Sequence, residues 1–307
     1  MPTSIIQLTD IHVWDPSSLR PSDLLTKRGT GLVNYRLRRK AEYDVAILRA
    51  AVHRAVSERP DLVLVTGDLT NLGLESELAA AAAELRPVLD AGLRTAVIPG
   101  NHDAYLPVCV QGQFERTLAE HQRADARDGG PYPYLVTLSD VDVCCFSSAV
   151  PTAPFLAHGR IGNEQIAAAR RLLTGRPSRR PLVFAVHHHG TRAPHKRFEF
   201  HRALRDAGAV RALAHEVGAD LLVHGHNHVC HLRRTAAGLI VVGVSSSTTA
   251  HDTHDHRRGQ IARYRFEGNE LAGIEFAHWE PGSGRFSDWR EVAIASISAE
   301  TAAEALD

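Results

Sequence analysis

Five times along this chain of 307 residues a short apolar run ends in a cluster of carboxylates, imidazoles or amides. Ile5-Ile6-Gln7-Leu8 leads into Thr9-Asp10-Ile11-His12, and Leu62-Val63-Leu64-Val65 into Thr66-Gly67-Asp68. Thr95-Ala96-Val97-Ile98 leads into Pro99-Gly100-Asn101-His102-Asp103. The run from Leu182 to Val186 leads into His187-His188-His189, and Leu221-Leu222-Val223 into His224-Gly225-His226-Asn227-His228. In open α/β sheets ligands gather beyond the carboxyl ends of the strands, so five such ends can converge on one site. Glycine at 67, 100 and 225 lets the chain turn sharply ahead of the polar side chain.

Around these runs, β-rich segments alternate with Ala- and Leu-rich helical patterns, which implies an α/β fold. Strands are expected at 4–8, 62–66, 95–98, 134–138, 141–147, 182–186, 221–224, 239–244, 261–266 and 271–276. Helices are expected at 40–58, 74–91 and 163–173. The later strands lie close together, with Gly268-Asn269 as a turn between the last two. A mixed sheet, or two sheets stacked face to face, fits this spacing better than a purely parallel one.

The clusters hold carboxylate, imidazole and amide oxygen but no thiolate, a set that suits Mn, Fe or Zn. They offer more ligands than one tetrahedral ion needs. Two divalent metal ions about 3.5–4 Å apart, bridged by a carboxylate, use them all. The chain has 19 histidines, which fits that reading. Lys+Arg and Asp+Glu are each 35, so no net basic charge points to nucleic acid as a partner. The four cysteines, Cys109, Cys144, Cys145 and Cys230, form no CxxC pair, which argues against a disulfide framework or a cysteine zinc finger. No signal peptide and no run of about 18 apolar residues is visible, so a cytoplasmic location is expected.

The ordered blocks Asp10-x-His12, Gly67-Asp68, Gly100-Asn101-His102-Asp103, His187-His188 and Gly225-His226-x-His228 resemble those of the calcineurin-like metallophosphoesterases. The resemblance spans residues 10–228 and implies two mixed β-sheets stacked face to face and flanked by helices, a four-layer sandwich. It implies one metal held by Asp10, His12 and His228, and another by Asn101, His187 and His226, with Asp68 bridging them. His187 is taken because relatives place the ligand at the first histidine after the strand; His188 is the alternative. His189 stands where many relatives have proline, and its role is open. The resemblance also puts His102 at the leaving-group oxygen, oriented by Asp103 or a neighbouring carboxylate. Residues 1–280 then form a single metallophosphoesterase domain and 281–307 a C-terminal tail that packs or frays.

Chemistry of this kind needs little more than the ions. Two cations lower the pKa of a shared water and neutralise charge on the phosphoryl oxygens, so a metal-bridging hydroxide attacks phosphorus in line. His102, when protonated, donates to the leaving oxygen. The expected function is a dinuclear metal-dependent phosphohydrolase. A phosphodiesterase acting on a cyclic nucleotide or another small diester is favoured, as in the bacterial branch that the motifs resemble. The alternatives are a lipid-linked UDP-sugar pyrophosphatase at the membrane surface, a protein phosphatase, and a non-catalytic scaffold on the same fold.

Two segments stand outside this scheme. Arg20–Lys40 carries seven Lys and Arg residues against Asp23, interleaved with leucines, Val33 and Tyr35. It reads either as a solvated excursion or as a surface for a lipid headgroup or a substrate phosphate, with peripheral membrane contact. His251-Asp252-Thr253-His254-Asp255-His256 reads as a solvated loop, a substrate-binding loop or a further metal site.

Overall fold

Ten apolar runs become strands because each is long enough to cross a sheet and offers buried residues to both of its faces. The computed structural model describes residues 2–177, 179–190, 201–250 and 257–299. Its strands begin with β1 (Thr3–Leu8), β2 (Leu62–Thr66), β3 (Thr95–Ile98), β4 (Ala126–Arg127), β5 (Tyr134–Thr137), β6 (Asp142–Cys145) and β7 (Leu182–Ala185). They continue with β8 (Leu221–His224), β9 (His231–Arg234), β10 (Ile240–Gly243), β11 (Gln260–Glu267), β12 (Glu270–Glu280), β13 (Arg285–Phe286) and β14 (Arg290–Val292). The helices are α1 (Lys27–Leu37), α2 (Val45–Glu58), α3 (Glu75–Asp90), α4 (Gln113–Thr117), α5 (Gly162–Leu173) and α6 (Ala207–Val217).

Two mixed sheets of seven strands result. One runs β13-β12-β11-β1-β2-β3, with β14 also paired to β12; the other runs β4-β5-β6-β7-β8-β10-β9. Successive side chains of a strand point to opposite faces, so each strand serves two cores. Ile5, Leu62, Leu64, Val183, Ala185, Leu221 and Val223 fill the space between the sheets. Ile6, Val63 and Val65 pack outward against α2 and α3, while Leu182, Phe184 and Leu222 pack outward against α5 and α6. The expected four-layer sandwich is the observed architecture. β1, β2 and β3 are mutually parallel, as are β6, β7 and β8, so the carboxyl ends of each set lie together.

The β11–β12 hairpin turns at Gly268-Asn269, both with positive φ, as a two-residue loop between right-twisted strands requires. Helix α2 starts at Val45 rather than Lys40, because the Asp44 side chain accepts from Ala46 N and caps it there. Sequence reading has no helix at α6, although Ala207, Val210, Leu213 and Ala214 give it a buried stripe. It also leaves Arg20–Lys40 without structure. That segment folds into α1, which is anchored by Arg28. The Arg28 guanidinium donates to the carbonyls of Leu72 (3.0 Å) and Gly73 (2.6 Å) and pairs with Asp23 (2.8 Å). Beyond Glu280 the chain returns to the first sheet through β13 and β14, and Phe286 joins its outer core. Among the described residues no helix is long and apolar enough to cross a membrane.

Candidate metal centre

The clusters that follow β1, β2, β3, β7 and β8 meet at one end of the sandwich. Pairing continues past the ends of β1 and β2: Asp10 N donates to Gly67 O (3.0 Å), His12 N to Asp68 O (3.0 Å) and Val13 N to Leu69 O (2.8 Å). The backbone bends hard as it does so. Asp10 (φ 52°), His12 (44°), Asp68 (54°), His226 (70°) and His228 (51°) all occupy the left-handed region. Each such residue costs about 1–3 kcal/mol and persists where its surroundings hold it. The sharp turning expected of the glycines is therefore done largely by the polar residues themselves. Gly100 and Gly225 are needed for another reason. A Cβ at Gly100 would collide with the Asp68 carboxylate, and one at Gly225 with Thr9 Oγ1 and the Asp10 carboxylate.

Two groups of donors emerge. Asp10, His12 and His228 bring one ligand atom each within 4.8 Å of one another, and Asp68, His187 and His226 do the same. His228 Nε2 lies 3.1 Å from Asp10 Oδ1, and His187 Nε2 lies 3.3 Å from Asp68 Oδ2. All of these except His228, which is half-buried, are buried. The tautomers follow from backbone carbonyls at the end of β2. His187 Nδ1–H donates to Thr66 O (2.7 Å) and His12 Nδ1–H to Thr70 O (3.0 Å), so both Nε2 lone pairs face the cluster. Such outer partners fix ring orientation in metal sites.

Charge follows the same logic. Burial opposes ionisation of Asp10, but His228 beside it holds its carboxyl below the usual range. Burial likewise opposes Asp68, yet His187 and His102 hold it well below that range. Burial lowers His12 and His226 well below the ordinary imidazole value, leaving neutral rings. Asn101 Oδ1, His187 Nε2 and both ring nitrogens of His226 are buried without a hydrogen-bond partner. An unsatisfied buried polar atom costs about 1–3 kcal/mol. Burial opposes charge on His187, but Asp68 beside it raises its ring to about 9, so a cation binding there displaces a proton. Ionised carboxylates, the neutral His12 and His226 rings and the unpartnered lone pairs fit two divalent cations.

His188 is not placed to serve. Its Nδ1 accepts from Ser148 Oγ (2.7 Å) and its Nε2–H donates to Ala157 O (3.1 Å), so both nitrogens tie down the loop between them. His187 is the histidine that meets Asp68. His189 is buried with its ring stacked 5.7 Å from that of His226. His224 bonds its own neighbour, Gly225 O (2.9 Å). The His251–His256 cluster lies outside the described residues.

The backbone N–H of His102 donates to Asp68 Oδ1 (2.7 Å). Its ring, however, is oriented by Asn71 O, 2.6 Å from Nδ1, and not by Asp103. Asp103 is committed to the backbone: it accepts from Gly100 N (2.8 Å), Leu69 N (3.0 Å) and Thr70 N (3.0 Å). It clamps the turns after β2 and β3 together. Burial and the Arg39 guanidinium push His102 down to about 3.

Two contributors, Tyr43 and a set of backbone carbonyls, escaped the sequence reading, and a third, Arg39, belonged to the basic segment read as a solvated excursion or a surface for a lipid headgroup or substrate phosphate. The Tyr43 ring lies 4.4 Å from that of His12, and its hydroxyl is 3.3 Å from His228 Nδ1. Arg39 Nη1 reaches to 3.3 Å of His102 Nδ1. The carbonyls of Thr66, Thr70 and Asn71 aim three imidazoles. No motif marks any of them, because backbone carbonyls have no sequence signature and Tyr43 and Arg39 arrive from a separate excursion. Above the donors lies a cavity of about 500 Å³, whose floor includes Asp68, Asn101, His102, His226 and His228. Its size suits a small-molecule ligand. Another cavity, of about 450 Å³, shares only Asp103 with the candidate site residues.

A family model described as calcineurin-like phosphoesterase matches residues 3–230. No curated protein matches the sequence. Solved structures do share the fold. A dimetal phosphatase from Danio rerio superposes with a TM-score of 0.58 at 12% identity, over 89% of this chain and 95% of that one. Purple acid phosphatase PPD1 from yellow lupin seeds superposes with a TM-score of 0.58 at 14% identity, over 97% of this chain and 54% of that longer one.

Proposed function

Because the chain belongs to the calcineurin-like phosphoesterase family, we propose that it is a dinuclear metal-dependent phosphodiesterase acting on small phosphate diesters. The observation that carries this reading is the pair of donor triads, Asp10/His12/His228 and Asp68/His187/His226, of which Asp68, His226 and His228 line the cavity. Asn101 completes the second group through its unpartnered Oδ1. Two divalent cations, when bound, supply an acidified water and neutralise charge on the phosphoryl oxygens. Asp68, 3.3 Å from His187 Nε2, would be the carboxylate shared between them.

The remaining chemistry belongs to the chain's own side chains. Arg39 and His102 stand together over the floor and face the phosphoryl group and its leaving oxygen. An anionic phosphate beside the His102 ring favours its charged form, so substrate itself opposes the desolvation that keeps the free ring neutral. His102 then gives its proton to the leaving oxygen. A cavity of about 500 Å³ has room for groups on both sides of phosphorus, which supports diester over monoester.

The test uses protein stripped of metal and reconstituted with Mn²⁺. Turnover of bis(4-nitrophenyl) phosphate is expected to exceed that of 4-nitrophenyl phosphate and to fall at least ~100-fold in Asn101→Ala. A preference for the monoester would make the protein a phosphatase, and no turnover with no bound metal would make it a scaffold. A second reading, a lipid-linked diphosphate cleaved at the membrane surface, is favoured by the exposed Leu25 (92%) and Leu37 (77%) of the basic segment. Co-sedimentation with anionic vesicles, lost in a Leu25→Glu/Leu37→Glu double variant, is its test.

A further inference from the structure

Helix α1 has three faces. Arg28, Leu32 and Tyr35 are buried against the body of the protein. Val33 and Leu37 are exposed. The third face, Lys27, Thr30, Gly31, Asn34 and Arg38, follows the helical spacing i, i+3, i+4, i+7, i+11 and lines the cavity above the metal centre. At 1.5 Å rise per residue this stripe runs for about 15 Å. The cavity is therefore a groove, with Arg38 and Arg39 towards one end and Lys27 at the other.

Its charge is one-sided. Among the described residues, Lys27, Arg38, Arg39 and Arg202 line it against the single carboxylate Asp68. Elsewhere arginines are matched with acids, as in Arg49–Glu84 (2.6 Å), Arg170–Glu216 (2.6 Å) and Arg263–Glu275 (2.7 Å). Among the described residues no carboxylate pairs with Lys27, Arg38 or Arg39. Lys27 is half-buried, and the groups it contacts are neutral, while the Asp68 carboxylate acts on it through space. Its ammonium donates to Thr152 Oγ1 (2.7 Å) and Leu156 O (3.1 Å) and lies 4.7 Å over the Tyr105 ring. Burial pushes it down to about 8. The Tyr105 ring in turn stacks 5.4 Å from His102. Lys27 is thus one aromatic ring away from His102 and lines the same groove.

We propose that Lys27 is a specificity residue that binds a second phosphate group of the substrate, so the preferred substrate carries two phosphates. This deepens the reading under Proposed function and rests on it for the placement of the first phosphate. The second group has two chemical sources, a phosphoanhydride adjacent to the attacked phosphorus or a separate phosphate ester further along the groove.

Calorimetric titration of the Mn²⁺-loaded protein with AMP, ADP and adenosine 3′,5′-bisphosphate tests this without requiring turnover. At least one two-phosphate ligand is expected to bind ten times or more tighter than AMP. ADP in that role identifies the anhydride and the bisphosphate identifies the separate ester. Chelation of Mn²⁺ by a diphosphate does not depend on Lys27, so the variants decide. Lys27→Gln is expected to cut the advantage to threefold or less while AMP affinity changes less than threefold, and Lys27→Arg is expected to restore it. A merely structural role, through Thr152 and Leu156, would weaken all three ligands alike. Equal affinities for the three ligands in the unaltered protein, or an advantage that survives Lys27→Gln, would overturn the proposal. Nitrophenyl diester turnover, measured alongside, reports separately on the metallohydrolase reading.

Discussion

Asp68 joins two strand ends. Its Oδ1 accepts from the His102 backbone N and its Oδ2 lies 3.3 Å from His187 Nε2, so one carboxylate contacts the turn after β3 and the histidine after β7. Asp68→Asn keeps the shape and removes the charge. Bound Mn²⁺ is expected to fall from two ions per chain to one or fewer. Diester kcat/KM is expected to fall roughly 10³-fold, about 4 kcal/mol of transition-state stabilisation. Metal analysis and steady-state kinetics check both. The adjacent histidines separate just as sharply. His188→Ala removes the acceptor of the Ser148 hydroxyl proton and the donor to Ala157 O, and is expected to cost about 1–3 kcal/mol in thermal melts, with the metal count unchanged. His187→Ala is expected to lose metal instead. Equal metal loss in the two variants would contradict the assignment.

At the scale of elements, the site is built by strand ends that lean on one another. The loop after β8 reaches the loop after β1 through His226 N, which donates to the Asp10 carboxylate (3.0 Å). Gly225 allows that approach. In Gly225→Ala the new methyl collides with Thr9 and Asp10, and either the loop or Asp10 must move. The expected result is loss of metal at the Asp10/His12/His228 group, with about 1–3 kcal/mol of destabilisation. Metal analysis beside denaturant melts is the check. Helix α1 shows the limit of pattern reading at this scale. Its buried stripe of Arg28, Leu32 and Tyr35 is short and includes a charged residue, because the guanidinium is satisfied by the carbonyls of Leu72 and Gly73. Nothing in local periodicity distinguishes such a helix from a solvated excursion.

At the scale of the whole molecule, two sheets share one core and open at one end onto a buried group of like-charged carboxylates and unpartnered imidazoles. Folded protein holds these donors together, and the unfolded chain does not, so cations bind the native state selectively. At metal concentrations 100 times Kd this linkage contributes ~2.7 kcal/mol. For a chain of this size chelation is expected to lower Tm by about 5–10 °C, with Mn²⁺ restoring it. An unchanged Tm on chelation would count against the two donor groups as metal sites. Calorimetry with and without chelator measures it.

The ten expected strands, the stacked sheets and the donor-rich strand ends were legible because each leaves a local mark. A buried strand needs a short apolar run, and a ligand needs a particular side chain just past its end. Sequence alone therefore determined the order of the elements and the chemical types of the donors. Only the tertiary structure turned His187 rather than His188 towards Asp68, released Asp103 from the His102 ring, and brought Tyr43, Arg39 and Lys27 together with it. Those outcomes depend on backbone carbonyls, ring orientations and the docking of α1, which arise from contacts between residues far apart in the chain and have no local signature.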